Sequence, residues 1–293
     1  MNQERVPLTA VVLAKNEAAN LPRCLSPLGF ASDIVVIDDY SDDRTAEAAR
    51  QYGARVYQHR FLSFADQRDW AMKHTQIETE WILHLDADEV ITQELASSIR
   101  HAVADSSPEV AGYFLCFKTM FQGQWLRFSS TFPVWILRLV RQNRVSYVPT
   151  GHGEGFEADG QLLRLNEPFL HFNFSKGLGE WFAKHNRYSS REAETIVSAG
   201  ASIDVRALFG ADPARRRRAL KRFSWMLPFR PWLKFVYMYF LRLGLLDGRA
   251  GLTYCVLQSI YEYMICLKVR ELRDLQRDGK VVEDAEVEKK CLL

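Results

Sequence analysis

No two cysteines in this chain are spaced as C-x-x-C, and the five present (Cys24, Cys116, Cys255, Cys266 and Cys291) are an odd number. That pattern argues against a zinc site or a disulfide framework and for a reducing compartment. A large net charge is missing too. The formal balance is +2, so the whole molecule is no polyanion binder. No charge-free apolar run reaches the ~18–20 residues needed to cross a bilayer. Residues 231–246 are broken by Lys234 and Arg242, and residues 250–267 by Gln258 and Glu262. The opening MNQERVPLTAVVLAKNE has no basic start before its short apolar stretch, which predicts a strand and not a signal peptide. Internal repeats are absent. Apolar residues make up 47% and charged residues 25%, which excludes wholesale disorder. The 293 residues leave room for about two domains.

Charge is spread unevenly. Residues 1–100 carry 10 Lys or Arg against 16 Asp or Glu, whereas residues 211–249 carry 10 against 2. Different partners for the two ends follow from that asymmetry. In the first hundred residues, apolar strand-like runs (8–13, 33–37, 55–57 and 81–85) alternate with helical spacings (18–28, 42–52 and 64–74). Such alternation predicts βαβ units, hence parallel strands with helices on both faces. Residues 110–118 and 134–140 read as further strands, and the glycine run Gly151-His152-Gly153-Glu154-Gly155 as a loop. From residue 178 the chain reads helical over 178–199, 213–227, 232–246 and 250–277.

Acidic residues follow two of the predicted strands: Asp38-Asp39 after DIVVI, and Asp86-Ala87-Asp88-Glu89 after WILHL. In an open α/β sheet, ligands bind outside the carboxyl ends of the strands. Carboxylates gathered on one edge repel one another and require a positive partner. Oxygen ligands of this kind suit Mg²⁺ or Mn²⁺, completed by substrate phosphates. The plainer alternative is that these residues cap the helices that follow. His84, Trp70 and Trp81 read as core residues, with His84 a satisfied buried histidine.

TAVVLAKNEAANLPRCL, IVVIDDYSDDRTAEAA, FADQRDWA and WILHLDADE resemble, in order and spacing, the N-terminal half of family 2 nucleotide-sugar glycosyltransferases of the GT-A fold. GHGEGF, PFLHFNFSKGLGEWFAKHNRYSSREA and FLRLGLLDGRAGL are similar to the subgroup containing lipopolysaccharide-core β-1,4-glucosyltransferases. The resemblance spans roughly residues 7–270. It implies a Rossmann-like mixed α/β sheet with a helical C-terminal extension. Residues 1–175 would form the catalytic domain, with a nucleotide-binding half (1–100) and an acceptor half (101–175). Residues 176–293 would be a helical, basic and aromatic membrane-associating region.

The resemblance also implies roles. Ala14, Asn16 and Glu17 would lie against the nucleotide base, with Asp39 or Asp38 on the uridine. Arg68 would touch uracil or the diphosphate, and Asp86 and Ala87 the sugar or ribose. Asp88 would bind the metal, with Asp86 beside it. Glu154 would be the catalytic base, although an intervening glycine keeps His152 in contention. Trp125, Arg127 and Arg138 fall in the expected acceptor region, and His171 and Lys176 near the diphosphate.

The chemistry agrees with these roles. Transfer from a nucleoside diphosphate needs a base within ~3 Å of the acceptor hydroxyl, charge stabilisation at the departing diphosphate and fixed alignment. One base without a nucleophile gives inversion. Hydrolysis uses two carboxylates with separate jobs, and only one candidate stands outside the metal cluster. Basic residues interleaved with aromatics over 213–246 suit an anionic membrane surface, a solvated basic face being the alternative. The expected partners are a UDP-sugar, a glycolipid or saccharide acceptor and that membrane, on its cytoplasmic face, and no nucleic acid. Two rivals stand beside this reading: a nucleotidyltransferase, and a non-catalytic membrane adaptor. The first would want a glycine-rich triphosphate loop where AKNEAAN stands.

Overall fold

The computed structural model describes residues 5–150, 153–199, 212–225 and 227–277. Strand β1 (Val6–Ala14) lies parallel to β2 (Ala31–Asp38) on one side and to β4 (Trp81–Asp86) on the other. Strand β3 (Arg55–Gln58) pairs outside β2. These four strands are the parallel set that the alternation predicted. Beyond β4 the sheet becomes mixed. Strand β8 (Trp135–Arg141) runs antiparallel to β4 and to β6 (Val110–Phe121). Strand β11 (Gln161–His171) is parallel to β6, and the short β5 (Glu89–Val90) closes the edge antiparallel to β11. The order is β3-β2-β1-β4-β8-β6-β11-β5, with β7 (Gln124–Trp125) hanging on β6.

Strand β1 is apolar throughout because both its faces are covered. Leu8, Ala10, Val12 and Ala14 join one buried cluster with Leu21 and Leu25 of α1 (Leu21–Leu25) and Leu95 and Ile99 of α4 (Gln93–Asp105). Val11 and Leu13 join another with Ala65 and Ala71 of α3 (Phe64–His74). Ala49 of α2 (Thr45–Gln51) lies in the first cluster. Helix α3 spans the predicted residues, its N-terminus capped by Ser63, whose Oγ accepts from Asp66 N at 3.1 Å. Successive crossovers place β2 and β3 on one side of β1 and β4 on the other. The gap at the carboxyl ends of β1 and β4 is therefore a topological switch point, the usual ligand crevice of such sheets.

The glycine run behaves differently from its expectation. Gly153–Ala158 is strand β10, paired antiparallel with β9 (Val145–Thr150) in a separate two-stranded ribbon. Phe156 lies edge-on to Phe114 with ring centres 5.8 Å apart, and the backbone pairing with β9 overrides the turn propensity of the glycines.

The described residues divide into two compact units. One comprises the residues up to Arg127 plus Thr131–Ser175, and the other Phe128–Ser130 plus the chain from Lys176. The second unit holds α5 (Gly177–Ser198), α6 (Pro213–Ser224), α7 (Arg230–Val236) and α8 (Gly248–Arg277). Ala193 and Ile196 of α5 pack with Ile265 and Val269 of α8. The single helix expected over 232–246 is broken. A π turn occupies Tyr237–Leu241 and a 3-10 turn Gly244–Asp247, with Leu243 at φ +61°. Close approach is the cause: a Cβ on Gly251 would sit 2.2 Å from the Gly244 carbonyl oxygen, so α8 starts directly against that turn. Asp247 fixes the turn from below, its Oδ2 accepting from Phe128 N, Ser129 N and Ser129 Oγ.

Candidate active site

Register brings the two acidic segments to one edge. Ala14 pairs with Asp38, and Leu13 with Asp86, so all four lie at the carboxyl ends of adjacent strands. The loops that follow are laced together. Lys15 Nζ donates to the carbonyls of Asp39 and Tyr40 at 2.6 and 2.8 Å. Asn16 N donates to Ser41 Oγ, and Asn16 Oδ1 accepts from Asp42 N, both at 2.8 Å. Glu17 N donates to Thr45 Oγ1 at 2.7 Å, and the Glu17 carboxylate accepts from Asn20 Nδ2 at 2.6 Å. Asn16 and Tyr40 both adopt left-handed backbone, φ 53° and 48°. The predicted base-contacting segment is thus a preformed rim. Asp38 is buried and its carboxylate is turned into a local loop, accepting from Ser41 N and Oγ. Asp39 is half-buried, with Oδ1 accepting from Phe61 N at 3.0 Å.

The positive partners demanded by the crowded carboxylates come in part from the protein itself. Arg68 Nη2 donates to Asp86 Oδ1 at 3.0 Å, and Arg138 Nη2 to Asp86 Oδ2 at 2.9 Å. Arg138 Nη2 also reaches Glu89 Oε1 at 2.7 Å, and Glu89 Oε2 accepts from Asp86 N at 2.9 Å. Arg68 and Glu89 are buried, and Arg138 nearly so. Burial opposes the ionised form of Asp86, but Arg138 and Arg68 outweigh it and hold its carboxyl well below the usual range. Glu89 shares only the Arg138 guanidinium, so burial dominates and pushes its carboxyl up. Arg68 has no exposed surface and pairs with Asp86, and Arg138 joins the same carboxylate network through Asp86 and Glu89.

Asp88 stands apart from that network. Its Oδ2 lies 3.5 Å from His171 Nε2, and each side chain keeps 21% of its surface open. The Asp88 carbonyl accepts from Phe172 N at 2.9 Å, and His171 is paired in register with Glu89. Burial lowers the His171 imidazole, but the Asp88 hydrogen bond and the charges of Asp88, Glu89 and Asp86 overcome this and raise it. The Asp88 carboxylate is an oxygen donor of the kind that suits Mg²⁺ or Mn²⁺, and the His171 imidazole, once deprotonated, is a nitrogen donor 3.5 Å from it. Among the described residues no group of three metal-binding side chains gathers.

Ala87 is buried, with N donating to Leu13 O at 3.1 Å. Glu154 lies on β10 opposite Pro149, and His152 falls outside the described residues. Trp125 is half-buried, with Lys118 Nζ 4.6 Å and Arg127 Cζ 5.7 Å from its ring centre. Lys176 is exposed in the second unit. His84 departs from the expectation of a satisfied buried histidine. It is fully buried, yet neither ring nitrogen has a hydrogen-bond partner among the described residues. Burial first, then the neighbouring charges of Arg68 and Arg138, push it well below its ordinary value and keep it neutral. The Glu89–Arg138 pairing was invisible in sequence, being joined across 49 positions. Its only local signal was the acid directly following Asp-x-Asp.

Comparison with known proteins adds the following. The glycosyl transferase family 2 model matches residues 9–155. The lipopolysaccharide core biosynthesis glycosyltransferase LpsC of Rhizobium meliloti (strain 1021) is 25% identical, over 93% of this chain and 95% of the relative. An uncharacterized glycosyltransferase of Rickettsia bellii (strain RML369-C) is 22% identical, over 90% of this chain and 86% of the relative. Among solved structures, S. aureus TarS 1–349 in complex with UDP aligns at a TM-score of 0.42 with 14% identity, covering 94% of this chain and 93% of that one.

Proposed function

We propose, for a chain that belongs to glycosyl transferase family 2, an inverting, metal-dependent transfer of a hexose from a UDP-sugar, glucose being the expected sugar. The acceptor would be a cell-envelope glycolipid or polysaccharide precursor such as lipopolysaccharide core, as the similarity to LpsC suggests. The observation that carries this reading is the division of labour at the β4 edge. Asp86 is paired with two arginines, while Asp88 faces His171.

The first unit would be the catalytic domain. Asp88 and His171 would hold the cation, which when bound would stabilise negative charge on the departing diphosphate. The Lys15–Glu17 rim and Asp39 would orient the nucleoside. Asp86, fixed as an anion, would meet the ribose or sugar hydroxyls. The acceptor oxygen attacks the anomeric carbon, and the bond from that carbon to the diphosphate oxygen breaks with its electron pair on the leaving group. Glu154 takes the hydroxyl proton, and His152 is the alternative base. Trp125, Arg127 and Lys176 would serve the acceptor. The second unit would sit on the cytoplasmic face of an anionic membrane, where a lipid-linked acceptor is presented.

Calorimetric titration of the full chain with UDP, with and without Mn²⁺, tests the reading, followed by turnover on a panel of UDP- and GDP-sugars. Metal-strengthened UDP binding and release of UDP from one sugar donor are expected. Tighter binding of a triphosphate than of UDP would move the assignment to nucleotidyl transfer, and absence of nucleotide binding to a non-catalytic adaptor.

A further inference from the structure

From Pro213 to Leu246 the sequence carries nine Lys or Arg and no Asp or Glu. The same stretch leaves large apolar groups in solvent: Phe229 is 80% exposed, Leu241 74%, Trp232 63% and Leu246 57%. Helix α8, which follows, has a second exposed feature. Leu252, Val256, Ile260, Tyr263 and Leu267 are each 36% to 54% exposed. Their spacings of four, four, three and four put them on one face of the helix, a stripe of about 22 Å at 1.5 Å per residue. The opposite face is already occupied, since Ile265 and Val269 pack against α5. Arg249 and Arg270, both exposed, lie one turn beyond either end of the stripe.

The two features are held together. Arg230 Nη2 of α7 pairs with Glu262 Oε2 of α8 at 2.6 Å, both side chains mostly buried, and Ser259 Oγ of α8 donates to Pro231 O at 2.6 Å. At 100° per residue, the side of α8 that receives α7 is about a quarter turn from the stripe. The exposed groups of α7, of the turns after it and of the α8 stripe therefore border one another.

We infer that this face of the second unit docks on an anionic lipid surface, with the α8 stripe and Trp232 entering the headgroup layer and the cations around them binding lipid phosphates. The inference deepens the proposed function, on which it rests for its purpose. Helix α8 lies in the plane of the interface; among the described residues no helix is long and apolar enough to cross a membrane. An apolar stripe bounded by arginines, with Trp and Tyr beside it, is what an interfacial helix presents. Charge selects lipid over a second copy of this chain. A two-fold contact through this face would set the acid-free segment of one copy against that of the other, whereas anionic headgroups neutralise it.

Co-flotation of the full chain with vesicles tests the docking. Vesicles of equal parts phosphatidylcholine and phosphatidylglycerol should carry the protein, and phosphatidylcholine alone should carry at least tenfold less. Ile260→Asp combined with Tyr263→Asp should lower the bound fraction at least tenfold on the mixed vesicles, and Trp232→Ser should lower it by a smaller factor. Far-UV circular dichroism and UDP binding should stay at wild-type level. Equal binding to both vesicle types, no binding to either, or stripe variants that float normally overturn the inference. So does a wild-type dimer in light scattering that the stripe variants dissociate while vesicle binding is unchanged. UDP titration in the same preparations separates the two proposals, because loss of vesicle binding with UDP binding intact sinks only the docking.

Discussion

The carboxyl edge of the sheet and the acid-free stretch of the second unit treat charge in opposite ways. At the sheet edge, two buried guanidiniums pair with the buried Glu89 and the partly open Asp86 at 2.7 to 3.0 Å, and Asp88 faces His171, both also partly open. In the second unit the cations Arg216, Arg222 and Arg249 are exposed beside exposed aromatics. Buried charges cost several kcal/mol each to desolvate and persist only in well-formed pairs. The edge is therefore rigid and suited to one small, highly charged ligand. Exposed cations are screened within about 8–10 Å by salt. They suit a partner whose charge is spread over a surface and whose apolar layer rewards Trp and Leu.

The sharpest way to break this comparison is Asp88→Asn. It removes the Asp88 charge but none of those paired with arginine, so turnover should fall by at least about 10³-fold while the melting temperature moves by a few degrees at most. Sugar transfer that persists at wild-type rate in steady-state assays would move the metal elsewhere. Glu154→Gln should spare UDP binding and lower turnover by about 10²- to 10⁴-fold, the usual worth of a positioned base. A variant that turns over normally shifts the proton to His152.

Arg138→Met probes the paired side of the contrast. Glu89 and Asp86 would be left facing each other without their shared cation, so urea denaturation should show a loss of about 3–5 kcal/mol. A loss below about 1 kcal/mol would mean that the network is not buried as described. Acid should act through the same group. The folded carboxyl of Asp86 titrates below its unfolded value of about 3.9. Its stabilisation is complete above that pH and is lost as pH falls through the depressed folded value. Asp86→Asn should therefore show a shallower acid-side decline of melting temperature than the wild type. His171 has the opposite sign. Its contribution is complete below about 6.5 and fades as pH climbs through its raised folded value. The smallest expected effect is of salt. Raising ionic strength should weaken vesicle binding visibly and leave stability of the Arg138 network almost unchanged, measured by flotation and by melting temperature.

The strand-helix alternation of the first hundred residues was readable because each apolar run is bounded by polar turns, and because β1 is covered on both faces. The acidic ends of β2 and β4 were readable for the same reason: a carboxylate directly after a buried strand lands on the sheet edge. The placement of His171 beside Asp88 was not visible, since nothing in its own segment pairs the two across 83 positions. The 213–246 stretch announced its charge and aromatics, but not the break at Leu243, which depends on Gly251 meeting Gly244.

Local periodicity and the order of polar and apolar residues were thus enough to set the parallel half of the sheet, the family resemblance and the segments that carry acid or base. Only tertiary structure decided which carboxylate pairs with arginines and which faces a histidine. That choice depends on Arg68 and Arg138 arriving from α3 and β8 at distances of about 3 Å, where burial makes each pairing count and no sequence spacing records it.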